Sequence, residues 1–125
     1  MSEACPFCEV AAPVIKNRLA LARFDNYPVS PGHLLIVPRR HVADYFELST
    51  EEKADIWALV DRGKGLLDGQ YSPDSYNVGI NCGLAAGQSV MHAHIHLIPR
   101  YKGDVDDPRG GVRKLFPCKA DYWSE

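Results

Sequence analysis

Apolar and polar residues alternate most regularly late in the chain, between residues 91 and 100. This segment reads Met-His-Ala-His-Ile-His-Leu-Ile-Pro-Arg, with His92, His94 and His96 at every second position. Because side chains along a β-strand point to opposite faces in turn, the spacing predicts a strand with one imidazole face and one apolar face. Three histidines on one face favour a reaction centre over two simpler interpretations: a half-buried strand that happens to carry histidine, or a metal-binding tract of biased composition.

Other apolar runs predict the rest of a sheet. Residues 19–24 and 33–38 are strand candidates, and residues 25–32 between them are dense in turn formers, which predicts an antiparallel hairpin with a wide connection. Residues 75–82 predict a further strand that pairs with the histidine strand through a loop of small residues. Gly83 and Gly87 in that loop would let backbone N–H groups approach an anion.

One long helix is predicted after residue 49. Ser49 and Glu52 have the spacing of a capping box. The apolar residues that follow have helical spacing and predict a face that covers the sheet; they are Ile56, Leu59, Val60, Leu66 and Leu67. Gly63 and Gly65 weaken the second half of this helix.

The chain is expected to form a single domain over residues 1–125. Its 125 residues are enough for one hydrophobic core, and 46% hydrophobic with 24% charged residues is typical of a soluble globular protein. After Arg100 the composition becomes polar and rich in turn formers. Residues 101–125 are therefore interpreted as a C-terminal extension, either a functional loop or a tail that lies on a partner subunit.

Charge and hydropathy restrict the partners. The formal net charge of -2 provides no basic surface for nucleic acid. No apolar run approaches the length of a membrane span, and the first residues lack a positive segment followed by an apolar one. We therefore expect a cytoplasmic protein with no membrane or nucleic-acid partner.

The paired cysteines of Cys5-Pro6-Phe7-Cys8 have three interpretations. A redox dithiol should follow a strand and open a helix, which the four residues before Cys5 cannot supply. A structural metal site is the second, because two thiolates three positions apart can occupy two corners of a zinc tetrahedron. Two free cysteines without a function are the third. In a reducing compartment a metal site or free thiols are favoured over disulfides.

Two segments together resemble a known family. Residues 88–98, Gln-Ser-Val-Met-His-Ala-His-Ile-His-Leu-Ile, resemble the signature of the histidine triad (HIT) family, and residues 28–41 resemble its upstream hairpin in the right order. The resemblance implies an α+β fold with a mainly antiparallel sheet of about five strands, one long helix and a shorter one. It also implies a homodimer that hydrolyses or transfers nucleoside monophosphates.

The resemblance assigns His94 as the nucleophile that attacks the α-phosphorus and forms a nucleotidyl-histidine, which water then cleaves. Imidazole is suited to this step because it is one of the few nucleophilic side chains that is neutral near pH 7. His33 would orient the triad from the neighbouring strand. His96, together with Ser89 and Gln88, would contact the phosphate or the leaving group.

By the same resemblance, Asp25 would bind the ribose hydroxyls and Asn81 would lie near ribose and phosphate. A carboxylate that accepts two hydroxyl donors is chemically sound. The residues alone leave alternatives open, namely an Asx turn for Asp25 and a strand-end cap for Asn81.

Some HIT proteins carry a zinc site made of two cysteines, a histidine after the hairpin and the first triad histidine. The matching residues here are Cys5, Cys8, His41 and His92. Two thiolates and two imidazoles would close a tetrahedral, structural site with one zinc per chain. The alternative for His92 is a hydrogen bond to the backbone.

The substrate class is inferred from two details. Residues 97–100 and 107–113 resemble members that hydrolyse dinucleoside polyphosphates, and a third histidine at His96 favours hydrolysis over transfer. Arg109, Arg113 or Lys102 would reach the additional phosphates, unless they are plain surface charges. The prediction is a hydrolase that cleaves at the α-phosphate of dinucleoside polyphosphates or nucleoside phosphoramidates. The alternatives are a nucleotidyltransferase or phosphorylase, and a nucleotide-binding regulatory protein with incidental turnover.

Overall fold

The computed structural model describes residues 5–123 and contains one antiparallel sheet with a long helix on one face. The strands are β1 (Ile15–Lys16), β2 (Ala20–Phe24), β3 (Leu34–Pro38), β4 (Ser75–Ile80) and β5 (Ile95–Arg100). They lie in the order β1-β2-β3-β5-β4, and every neighbouring pair is antiparallel. The α+β class and the five-stranded sheet are confirmed.

The long helix, α1 (Thr50–Tyr71), begins where the capping box was predicted. The Ser49 hydroxyl accepts the Glu52 N–H at 3.0 Å, and the Glu52 carboxylate accepts the Ser49 N–H at 2.9 Å. Arg40 adds two hydrogen bonds to the same carboxylate, at 2.7 and 3.1 Å. The start of the helix is thereby tied to the end of β3, and caps of this kind contribute about 1 kcal/mol.

Gly63 allows α1 to lie close to the sheet. A Cβ at this position would lie 2.9 Å from Leu34 Cδ2, which would have to shift, and 3.2 Å from Leu97 Cδ2, which is a tight contact. The glycine that weakens the helix as an isolated element is therefore needed for its packing.

Strand β3 is apolar at every position because both of its faces are covered. Leu34 and Ile36 belong to the core under α1, whereas Leu35 and Val37 pack on the opposite face with Phe7 from the N-terminal segment. A strand buried on both faces gives a continuous apolar run, which the sequence shows at residues 34–37.

The predicted strands and both hairpins are present, with differences at their ends. Strand β1 was not predicted because two residues carry no periodic pattern. The shorter helix corresponds only to 3₁₀ turns among residues 5–123, the longest being Gly111–Leu115. In the described part of the chain, no helix is both long and apolar enough to span a membrane.

The prediction that His92, His94 and His96 share one strand was wrong. Strand β5 begins at Ile95, so only His96 belongs to it. The Ala93 N–H instead bonds the carbonyl of Val42 at 2.7 Å, in the loop after β3. This contact diverts the chain from the sheet ladder and gives His92 and His94 separate surroundings.

The C-terminal extension folds back over β4. Arg100 holds its first turn by donating to both Asp104 oxygens, at 2.8 and 2.9 Å. Arg113 holds its end by donating to the carbonyls of Lys119 and Ala120, at 3.0 and 3.2 Å. Between these anchors, Gly111 lies against the Asn77 side chain of β4.

Candidate active site and metal centre

A chain of hydrogen bonds fixes the protons on two imidazoles, the buried His33 and the half-buried His96. The Val29 N–H donates to His33 Nδ1 at 3.2 Å, and His33 Nε2 lies 2.9 Å from His96 Nδ1. Since His33 Nδ1 accepts a hydrogen bond, the neutral ring carries its proton on Nε2, and this N–H donates a hydrogen bond to His96 Nδ1. His96 must then carry its proton on Nε2, where it is available as a donor to a ligand.

His94 has the opposite arrangement. Its Nδ1 lies 2.8 Å from the carbonyl oxygen of His92, an acceptor only, so Nδ1 carries the proton. Nε2 is left with the lone pair. The His94 and His96 rings are 5.1 Å apart, so the site presents a nucleophilic nitrogen beside an N–H donor.

Burial keeps the supporting imidazoles neutral. The pKa of His96 is lowered to about 4, mainly by burial and to a smaller extent by the neighbouring His94 and His33, while the Asp25 carboxylate opposes the effect. Burial also lowers the pKa of His33, although the nearby Asp25 carboxylate opposes the effect. The accepting and donating roles in the hydrogen-bond chain therefore persist at neutral pH.

Asp25 combines a local role with one in the site. One carboxylate oxygen accepts the Tyr27 N–H at 2.9 Å, which is the Asx turn that the residues alone allow. The other oxygen lies 3.5 Å from His33 Nε2. Asn81 follows the end of β4 and lines the same cavity as His33 and His96. Contacts of Asp25 and Asn81 with ribose stay a prediction.

The loop before the histidines is held by Gln88. Its amide donates to the carbonyls of Ala43 and Val90, at 2.8 and 3.0 Å, and its oxygen accepts the Gly83 N–H at 2.9 Å. Both amide protons are occupied, so in this conformation Gln88 shapes the loop and has no side-chain donor for phosphate. Ser89 is exposed and remains a candidate phosphate contact.

A second cluster joins the two ends of the chain. The ligand atoms of Cys5, Cys8, His41 and His92 all lie within 4.8 Å of one another. Cys8 Sγ is 3.1 Å from His41 Nδ1 and 3.6 Å from His92 Nδ1, and Cys5 Sγ is 3.4 Å from His92 Nδ1.

These four residues fit a tetrahedral zinc site. Zinc with sulfur and nitrogen ligands at its usual bond lengths holds the two kinds of atom about 3.6 Å apart, close to the distances observed. His92 Nε2 lies 2.8 Å from the Pro38 carbonyl, which fixes its proton there and leaves Nδ1 as the ligand. His92 thus makes the backbone hydrogen bond and faces the metal position with its other nitrogen. The cluster is compatible with zinc.

A cavity of about 870 Å³ opens beside His96. We call it the extension cavity, because its outer wall comes from the C-terminal extension, at residues 104–108, 111, 112 and 114. Its floor is formed by β4 and β5. Gly79, which pairs with His96 across the sheet, leaves the space above it open.

Two groups near the histidines could not be assigned from the sequence. One is the Val29 N–H, a backbone donor in a loop of turn formers that carries no side-chain signal. The other is Phe7, whose ring lies 5.0 Å from that of His94. Its position between Cys5 and Cys8 was a usable signal, because a metal site formed by those cysteines would bring Phe7 to the histidines.

Comparison with known proteins gives a consistent result. Residues 10–103 match the model for the HIT domain family. An AP-4-A phosphorylase from Mycobacterium tuberculosis is 34% identical over 113 residues, covering 84% of this chain and 58% of that protein. A bis(5'-adenosyl)-triphosphatase from Dictyostelium discoideum is 37% identical over 91 residues, covering 73% of this chain and 61% of that protein. The chain thus spans about three fifths of the length of these two relatives.

A similar solved structure is that of a zinc-bound histidine triad family protein from Mycobacterium smegmatis. It is 31% identical with a TM-score of 0.72, and the match covers 81% of this chain and 78% of that one. Sequence, fold and the positions of the histidines therefore lead to one assignment. The chain belongs to the HIT family.

Proposed function

We propose that the protein is a nucleotide hydrolase that cleaves dinucleoside polyphosphates at the α-phosphate, with His94 as the nucleophile. The observation that carries the proposal is the pairing of a lone pair on His94 Nε2 with a proton on His96 Nε2, in rings 5.1 Å apart. Attack on a phosphate and stabilisation of the charge that develops there require these two groups. The relatives named for hydrolysis or phosphorolysis of such substrates support it.

In the first step, the lone pair of His94 Nε2 forms a bond to the α-phosphorus while the bond from phosphorus to the bridging oxygen breaks. The leaving group departs as a nucleotide with its phosphates. His94 becomes cationic in the adduct because Nδ1 keeps its proton. The His92 carbonyl, 2.8 Å from Nδ1, stabilises that charge.

In the second step, water attacks the same phosphorus and the P–N bond breaks. His94 recovers its lone pair and a nucleoside monophosphate is released. The His96 Nε2–H donates to the phosphate oxygens in both steps, where negative charge increases in the transition state. Ser89, Asp25 and Asn81 would hold the phosphate and ribose.

Zinc on Cys5, Cys8, His41 and His92 would have a structural role. Four protein ligands leave no open position for substrate or water. The ion would hold the His92 ring and, through the His92 backbone carbonyl, the orientation of His94. We therefore propose one zinc per chain.

Phosphorolysis is the second candidate, since one relative is named a phosphorylase. In that reaction inorganic phosphate replaces water in the second step, so product formation would require added phosphate. A regulatory protein that binds nucleotide and turns it over only incidentally would show very low rates of both hydrolysis and phosphorolysis.

A panel assay tests the proposal. Diadenosine tri- and tetraphosphate and adenosine phosphoramidate are incubated with the protein, with and without phosphate, and the histidine adduct is trapped by rapid quenching. We expect the substitution His94→Asn to lower turnover by at least about 10⁴-fold while nucleotide binding survives. Retention of most of the rate by His94→Asn would exclude the covalent route.

Homodimerisation and a cytoplasmic location stay predictions from the family resemblance and the composition. Sedimentation of the full chain tests the first, and the expected result is a mass of twice 13.9 kDa.

A further inference from the structure

The extension cavity and the N-terminal segment lie on opposite sides of the histidines. Phe7 packs over β2 and β3, with Leu21, Leu35 and Val37, and its ring contacts His94. The cavity lies over β4 and β5, where Val78, Gly79 and Ile98 line it. A substrate whose phosphorus is at His94 can therefore extend in two directions, and the cavity lies in one of them.

The size of the cavity suits a nucleoside. Its volume of about 870 Å³ is in the range of pockets that enclose a small organic ligand. Ile98 and Val112 offer apolar surface against which a base can lie. Asp106 at the outer wall offers a carboxylate that can accept ribose hydroxyls or an exocyclic amino group.

The charges of the cavity do not suit a polyphosphate. Arg100 is paired with Asp104, and Asp107 is paired with Arg109 at 3.0 Å, so the charges within each pair largely cancel. The two other charged residues of the lining, Asp106 and Lys114, have opposite signs, so the cavity has no excess of positive charge. Arg109 also lies over the Trp123 ring, at 4.3 Å from its centroid. Arg109 and Arg113 hold the extension together, which makes them poor candidates for the phosphate contacts considered from the sequence. Phosphates are better placed at the histidine end, and an uncharged nucleoside in the cavity.

We propose that the extension cavity is the subsite for the departing nucleoside of a dinucleoside polyphosphate, with the C-terminal extension as its outer wall. This inference rests on the proposed function, because it takes His94 as the point of attack. The HIT domain match ends at residue 103, so the wall residues 104–108, 111, 112 and 114 lie outside it. The subsite therefore depends on the C-terminal extension and not on the matched domain alone.

The test measures binding by calorimetry to full-length protein that carries His94→Asn, so that nothing is turned over. AMP requires only the site of the transferred nucleotide, whereas diadenosine tetraphosphate requires both sites. Val112→Trp places an indole in the cavity. Leu115→Trp is the matched control, because Leu115 is 72% exposed and is not among the residues that line the cavity.

We expect Val112→Trp to weaken binding of diadenosine tetraphosphate about tenfold, equivalent to about 1.4 kcal/mol, and to change AMP binding less than about twofold. Leu115→Trp should leave both affinities within about twofold. Val105→Trp, on another part of the wall, should reproduce the selective loss. It provides a second measurement if Val112→Trp fails to fold.

Three results would overturn the inference. One is equal weakening of both ligands, the second is no effect on either, and the third is a parent protein that binds the dinucleotide no more tightly than AMP. A parent protein that binds neither ligand would overturn the proposed function itself, which distinguishes the two failures.

Discussion

Replacing His33 should reduce the rate of the reaction without greatly changing substrate binding. In the structure, His33 connects the Val29 amide to His96. Because the Val29 N–H occupies His33 Nδ1, the His33 proton lies on Nε2 and is directed at His96 Nδ1. The substitution His33→Leu places an apolar side chain of similar size at this position and removes the hydrogen bonds to Val29 and His96. His96 Nδ1 then lies in a buried position without the donor that fixed it.

The magnitude follows from that unpaired nitrogen. A buried acceptor without a donor costs about 1–3 kcal/mol, and rotation of the ring or transfer of its proton to Nδ1 relieves the cost. Either change removes the Nε2–H from the phosphate. Complete loss of one such donor costs about 2.7–4 kcal/mol in the transition state, which sets the upper limit. We expect a fall in kcat of about 10- to 100-fold, since each 1.36 kcal/mol corresponds to a factor of ten.

The assay compares His33→Leu with His33→Gln under single-turnover conditions. Glutamine can accept the Val29 N–H with its oxygen and donate to His96 with its amide, so it preserves the direction of the hydrogen-bond chain. We expect His33→Gln to stay within about tenfold of the original rate, and KM to change little in either variant. The reasoning is refuted if His33→Leu keeps kcat within twofold, or if His33→Gln loses as much as His33→Leu.

Two further predictions concern the metal centre and the start of α1. If the proposed zinc is bound, Cys8→Ser should lower the zinc content from about one per chain and lower the melting temperature, since the ion would join the N-terminal segment to the loop of His92. Metal analysis and thermal unfolding measure both, and original protein without zinc would contradict the assignment. Glu52→Gln should destabilise the fold at pH 7. Arg40 and Ser49 lower the pKa of Glu52 to about 2, so the carboxylate stabilises the fold above its ordinary pKa of 4.5 and loses this effect as pH falls from about 5 to 2. The full shift in the pKa of Glu52 corresponds to about 3 kcal/mol in the free energy of unfolding. Because the Arg40 side chain is 58% exposed, solvent screening should reduce this contribution to about 1–2 kcal/mol. Denaturant unfolding at several pH values should show the two proteins converging in acid, and a difference independent of pH would contradict the ion pair as its cause.

The elements with a periodic pattern were predictable from the sequence. The capping box at Ser49 and Glu52 gave the start of α1, and turn formers at residues 25–32 gave the β2–β3 hairpin. These signals are local, so they can be recognised in the sequence without knowledge of the rest of the fold. The four candidate zinc ligands could be named together only through the family resemblance, because their spacing brings Cys5 near Cys8 but does not give the distance from this pair to His41 and His92.

The different surroundings of His92, His94 and His96 could not be predicted, because they depend on contacts between distant segments of the chain. Alternation implied three equivalent side chains, but the bond from Ala93 N–H to the Val42 carbonyl takes His92 and His94 out of the strand. The role of Gln88 depends in the same way on the position of Ala43. Long-range backbone contacts of this kind leave no periodic signal, which is why the strand was extended too far.

The Val29 amide has a consequence for how the family's sequences can vary. Val29 lines the extension cavity but is 73% exposed, so its side chain contributes little to the packing of the loop. Its peptide N–H nevertheless selects which nitrogen of His33, and then of His96, carries a proton. Every amino acid except proline supplies that N–H. An alignment of relatives could therefore show any residue except proline at this position and still hide the group that sets which nitrogen of His33 and His96 carries the proton.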